Sequence, residues 1–224
     1  MRFIDKTNSR TFGRRAFTLA ELLIVVAIIG VLVGISIPIF TSQLEKSREA
    51  TDIANMRAAK AAAVEIYYSG ICDQDTASEY GFTWYYKGNS TEKNNAWAVY
   101  DAETGTFIST YPKNGKLLFA DMGWSIDDAY GQGTKSDGGT DYSGYNNSFD
   151  YTNAVIVVTI FPNGYGTNIK QFNSSYSGME NVPCIILEWR RVERSNGTYP
   201  YVGRDPRDGS KYTAQVIFIG EKTT

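Results

Sequence analysis

Phe17–Phe40 reads FTLAELLIVVAIIGVLVGISIPIF, 24 residues that hold a single charge, Glu21. As a helix rising 1.5 Å per residue it spans about 36 Å, enough to cross a hydrocarbon layer about 30 Å thick with some tilt. Arg14 and Arg15 stand at its head. Basic flanks stay in the cytoplasm, so the chain that follows is expected to face outward. A cleaved secretory signal has a shorter apolar core and a small-residue exit site; here TSQLEKSREA (41–50) leads straight on in helical style. A plain single-span anchor fits the length but leaves Glu21 unexplained, because an acid inside a span is costly without a partner.

Outward from this run the charge is uneven. The chain of 224 residues has a net charge of −2, yet residues 1–16 carry +4 and the remainder −6. A basic start ahead of an apolar run is the form of a membrane-targeting segment, and the acidic remainder argues against a nucleic-acid surface. The sequence has no histidine, which removes the commonest general base and metal ligand. No phosphate-binding loop, metal cluster or nucleophile–base pair stands out, so no enzyme activity, metal or cofactor is expected.

After Pro38 the sequence stays helical but turns polar. TSQLEKSREATDIANMRAAKAAAVEIYYSG (41–70) is rich in Ala, Glu, Lys and Arg, all strong helix formers. Ile53, Met56, Ala59 or Lys60, Ala63 and Tyr67 recur at three- and four-residue spacing and form an apolar stripe. Gly70 is the expected stop. Residues 17–69 therefore read as one helix, apolar in its first half (17–40) and amphipathic in its second (41–70).

Beyond residue 80 the runs are strand-like: AWAVY (96–100), TFISTY (106–111), KLLFA (116–120), AVIVVTIF (154–161), CIILEW (184–189) and AQVIFI (214–219). They are β-branched or aromatic and bounded by turn residues. GQGTKSDGGTDYSGYNNSFD (131–150) reads as a long surface loop. The expected fold class is α+β, a long N-terminal helix whose stripe packs on an antiparallel sheet within a head of residues 71–224.

Two cysteines, Cys72 and Cys184, are compatible with one disulfide closing a loop of over a hundred residues. In the chain-entropy model such a bridge is worth roughly 4–5 kcal/mol. The alternative is two buried thiols. Asp205 and Asp208 in RDPRDGSKY are candidates for a calcium loop, but Pro206 and Gly209 read as an ordinary turn. Asn89, Asn146, Asn173 and Asn196 each begin an N-x-S/T triplet, which a chain rich in Asn, Ser and Thr produces by chance. The 16 tyrosines and four tryptophans read as sheet-face and inter-head packing more than as a ligand surface.

Arg14, Arg15, Ala16, Phe17, Thr18, Leu19 and Glu21, followed by the apolar run, resemble the processing motif of type IV prepilins. The likeness covers residues 13 to about 69 and is architectural beyond that. It implies a basic leader (1–16), a membrane peptidase that cuts between Ala16 and Phe17, and N-methylation of the new Phe17 terminus. The family places glycine before the cut, where this chain has Ala16. A cut after Gly13 would put Thr18 fifth; Ala16–Phe17 puts Glu21 there, as the motif requires.

The resemblance further implies that Glu21 neutralises the terminal amine of a neighbouring subunit and so sets the axial register. A carboxylate and an ammonium are tolerable together in a dry bundle. It implies that Gly30, Gly34 and Pro38 loosen the helix in a filament, although Gly30 and Gly34 also read as a small-xxx-small contact between membrane helices. The implied partners are the prepilin peptidase and methylase, membrane lipid before assembly, a membrane assembly platform with its ATPase, and copies of this chain in a homopolymer or mixed filament. The implied course runs from a single-pass membrane precursor to an extracellular filament serving adhesion, motility, DNA uptake or secretion. A pseudopilin of a secretion or competence system, and an uncleaved single-span binding protein or enzyme, are the alternatives.

Overall fold

The computed structural model describes residues 17–86, 93–108, 129–134, 149–152, 154–191, 202 and 214–221. The expected strand KLLFA, the turn around Asp205 and Asp208, and Asn89, Asn146 and Asn196 lie outside them. Helix α1 runs Leu19–Tyr68, with Pro38 inside it, followed by α2 at Gln74–Glu79. The strands are β1 (Thr83–Tyr85), β2 (Asn95–Tyr100), β3 (Phe107–Ile108), β4 (Ala154–Phe161), β5 (Cys184–Arg191) and β6 (Ala214–Phe218). Two 3-10 turns, Thr167–Gln171 and Ser174–Tyr176, lie between β4 and β5.

The chain divides into two units, Met1–Gln43 and Leu44–Thr224. In the first, the helix is unbroken through Gly30, Gly34 and Pro38. Proline lacks the N–H that would bond the Gly34 carbonyl. Ser36 Oγ–H donates to the Leu32 carbonyl (2.7 Å) and Thr41 Oγ1–H to that of Pro38 (3.0 Å). These bonds keep both hydroxyls satisfied within an apolar stretch. The large apolar side chains of this unit, from Phe17 to Phe40, are exposed.

In the second unit the described strands form one antiparallel sheet in the order β1-β2-β4-β5-β6, with β3 pairing β2. Ala98, Val158 and Leu187 sit in register across its centre. Successive residues of a strand face opposite sides. Ala96 and Ala98, Ile156, Val158 and Ile160, and Ile185, Leu187 and Trp189 thus share a core with Ile53, Met56, Ala59 and Ala63 of α1. The expected stripe is the buried face. Ala59 and Ala63 are fully buried in one cluster with Ala96 and Ala98.

The other sheet face is also covered. Trp97, Val99, Val155 and Val157 form a second cluster. Phe161, Cys184 and Ile186 form a third with Tyr165 and Ile169. This explains why β4 and β5 read as near-continuous apolar runs, since strands buried on both faces do not alternate.

The helix ends where the sequence indicates. Gly70 has φ +97° and its N–H bonds the Tyr67 carbonyl at 3.1 Å, a left-handed turn suited to glycine. Short elements were not legible in advance. In α2 the Asp73 carboxylate accepts from Thr76 N–H at 2.9 Å, a cap that holds its carboxyl below the usual range. Asn173, which begins one of the N-x-S/T triplets, caps a 3-10 turn with its side chain, accepting from Ser175 N–H at 3.0 Å.

The cysteines are a correction. Both are free thiols, Cys72 exposed and Cys184 buried. Ile71, just before Cys72, packs in the helix-side core, whereas Cys184 points into the cluster on the opposite face of the sheet. The expected disulfide gives way to one exposed and one buried thiol.

Candidate functional site

Of the residues that the motif singles out, Phe17, Thr18, Leu19 and Glu21 are described, and they lie at the start of α1. Thr18 precedes the first helical residue, Leu19, as an N-cap. Its main-chain N–H and its Oγ1–H both donate to Glu21 Oε2, at 2.8 and 2.9 Å. The Glu21 N–H returns a bond to Thr18 Oγ1 at 3.2 Å. This is a reciprocal capping box, Thr-x-x-Glu, which satisfies amides that a helix start leaves without partners. Negative charge there also opposes the positive end of the helix dipole.

Phe17 is 88% exposed at the head of the segment; Ala16 lies outside the described residues. From Leu19 to Phe40 Glu21 is the sole charge on an apolar helix, and α1 is long and apolar enough to cross a membrane. Gly30 and Gly34 have open space where a Cβ would stand, with nothing within 4 Å. Among the described residues no group of three or more His, Cys, Asp or Glu side chains is placed to hold a metal.

Comparison with protein families finds a prokaryotic N-terminal methylation motif over residues 12–37. This is a type IV prepilin-like leader. The match takes in Phe17, Glu21, Gly30 and Gly34 and ends just before Pro38. No solved structure matches the chain. The long apolar helix and antiparallel sheet are nonetheless an α+β arrangement like that of type IV pilins. The chain thus has the N-terminus of a type IV pilin-like or pseudopilin-like precursor.

A second constellation escaped the sequence. Glu45, Glu49 and Asp52 follow one another at four- and three-residue spacing along the face that continues as Met56, Ala59 and Ala63. Glu49 and Asp52 are buried. Asp52 accepts from Gln132 N–H at 3.0 and 3.1 Å and from Gly133 N–H at 2.7 Å. Glu45 accepts from Thr134 N–H and pairs with Arg48 at 3.6 Å. The described segment 129–134, whose residues 131–134 belong to the stretch 131–150 expected on the surface, is a strap tied to the helix. Tyr130 and Gly131 donate their main-chain N–H groups to the Ala154 carbonyl, and Tyr130 Oη–H donates to the Tyr100 carbonyl at 2.9 Å. Burial pushes the Tyr130 hydroxyl well above its ordinary range, so it remains a donor.

Proposed function

We propose that the protein is a structural subunit of a bacterial type IV filament, cut between Ala16 and Phe17, methylated on Phe17, and polymerised through its N-terminal helix. The observation that carries this is an apolar surface without a cover. From Leu19 to Phe40 the large side chains are exposed around the helix, many with half or more of their area accessible. In water such a surface is untenable, so it belongs first in lipid and then among copies of itself.

Cleavage leaves an amine on Phe17, and methylation keeps its charge. Glu21 is the acid available to that charge on a neighbouring subunit. Pairing offsets part of the cost of removing both ions from water, and it favours the stagger that brings them together. Gly30, Gly34 and Pro38 then mark where the helix yields as subunits pack. The peptidase and methylase act on the leader, and a membrane platform with its ATPase lifts the subunit from lipid, leaving the head on the filament surface. The motif and fold point to a structural, non-enzymatic role.

Terminal sequencing of mature protein from cells with the processing machinery tests the reading. Methyl-phenylalanine at the terminus, together with sheared filaments containing the chain, is the expected result. An intact leader on a chain that never leaves the membrane would make it a single-span anchor instead.

A further inference from the structure

We infer that Thr18 is a positioning residue for assembly: its hydroxyl and main-chain N–H hold the Glu21 carboxylate by one oxygen, so that the other is presented to the cation of a neighbouring subunit. The inference rests on the role proposed above for Glu21 and adds the group that aims it.

Three features support it. Both Thr18 donors converge on Oε2, and among the described residues Oε1 accepts no hydrogen bond. A carboxylate has about four acceptor sites over its two oxygens, so the cap and an incoming ammonium do not compete. The Glu21 N–H returns a bond to Thr18 Oγ1, which fixes the hydroxyl while it donates. Glutamate has three side-chain torsions and would otherwise sample many rotamers; binding a cation to a free side chain costs that freedom, and a held one has already lost it.

The hydroxyl is the part that substitution isolates. Thr18→Val keeps the size, the β-branch and the main-chain N–H but removes both hydroxyl bonds. Thr18→Ser keeps the hydroxyl and removes the methyl. The full-length chain, expressed with its processing and assembly machinery, is scored for fraction cleaved by intact mass and for filament yield in the sheared fraction, beside Glu21→Ala.

Thr18→Val should be cleaved like the parent yet yield roughly five- to tenfold less filament, in proportion to the loss of one cap interaction. Thr18→Ser should recover most of the yield, which a purely steric role for residue 18 would not allow. Parental yield from Thr18→Val alongside failure of Glu21→Ala would overturn the positioning role and leave the Glu21 pairing intact. Parental yield from Glu21→Ala as well would remove both. Loss of cleavage in Thr18→Val, or no recovery with serine, would also overturn it, by moving the hydroxyl's function to the peptidase or the residue's function to its shape.

Discussion

The Asp52 carboxylate on α1 accepts the main-chain N–H of Gly133 at 2.7 Å, joining residues 81 positions apart. Asp52 is fully buried, and Gln132 adds a further donor at 3.0 Å. A buried main-chain donor stripped of its acceptor bears its full desolvation cost. Asp52→Ala should therefore destabilise the protein by roughly 2–4 kcal/mol, and Asp52→Asn, which keeps one acceptor oxygen, by less. Urea unfolding of the full chain in detergent micelles, followed by circular dichroism, measures both. An alanine variant within about 0.5 kcal/mol of the parent would mean the strap is held elsewhere.

That contact also marks where sequence stops being informative. The stripe Ile53, Met56, Ala59 and Ala63 was legible because helical periodicity is local. The strand AVIVVTIF was legible to the residue because its apolar run is bounded by turn signals. Asp52 sits on the same face as Met56 but is polar, and its partners arise 80 residues later in a stretch whose Gly, Ser and Asp content reads as surface loop. Nothing local announces that pairing. The Thr18–Glu21 box is different: Thr-x-x-Glu ahead of an apolar run is a known helix start. The same glutamate, lone in an apolar span, also calls for an intermolecular partner, so its sequence setting alone does not single out the local bond.

The two thiols should behave in opposite ways. Burial pushes the Cys184 thiol up to about 12, and the thiolate is the form that reacts. At pH 8 the folded, unreduced protein should take one maleimide, on exposed Cys72, and a second only after denaturation. A raised thiol pKa contributes stability that is complete below the ordinary value of about 9 and is lost as pH rises toward 12. Cys184→Ala should remove that share of the alkaline loss. Failure of Cys72 to label before reduction would restore the disulfide.

Gly131 sets the path of the strap. A Cβ built there would lie 2.2 Å from the Tyr151 carbonyl oxygen and 3.1 Å from the Trp189 ring. The carbonyl is main chain and cannot rotate away. Nearby, Tyr151 N–H donates to the Gly133 carbonyl at 2.7 Å, so displacement at Gly131 also disturbs this bond. Gly131→Ala should cost about 1–3 kcal/mol by overpacking. Hydrogen exchange should show the Gln132 and Gly133 amides opening first. Parental stability and unchanged protection would place the strap farther from β4 than the structure has it.

Gly30 and Gly34 answer a separate question, whether assembly needs them soft or needs them small. Neither meets any atom within 4 Å at its missing Cβ, so alanine fits the subunit without a clash. Each replacement should favour the helix by about 1 kcal/mol. Leucine is as good a helix former but projects a bulky side chain where neighbouring helices would approach. If closeness is what matters, Gly30→Ala and Gly34→Ala should be cleaved and assembled much like the parent, while the leucine variants are cleaved but yield few filaments. If softness matters, alanine should fail nearly as badly as leucine, because both stiffen the same turn. The yielding role proposed above for both glycines corresponds to the second pattern, and sheared-filament yield beside micelle helicity separates the two. Equal assembly of all four variants would leave the glycines without a part in polymerisation.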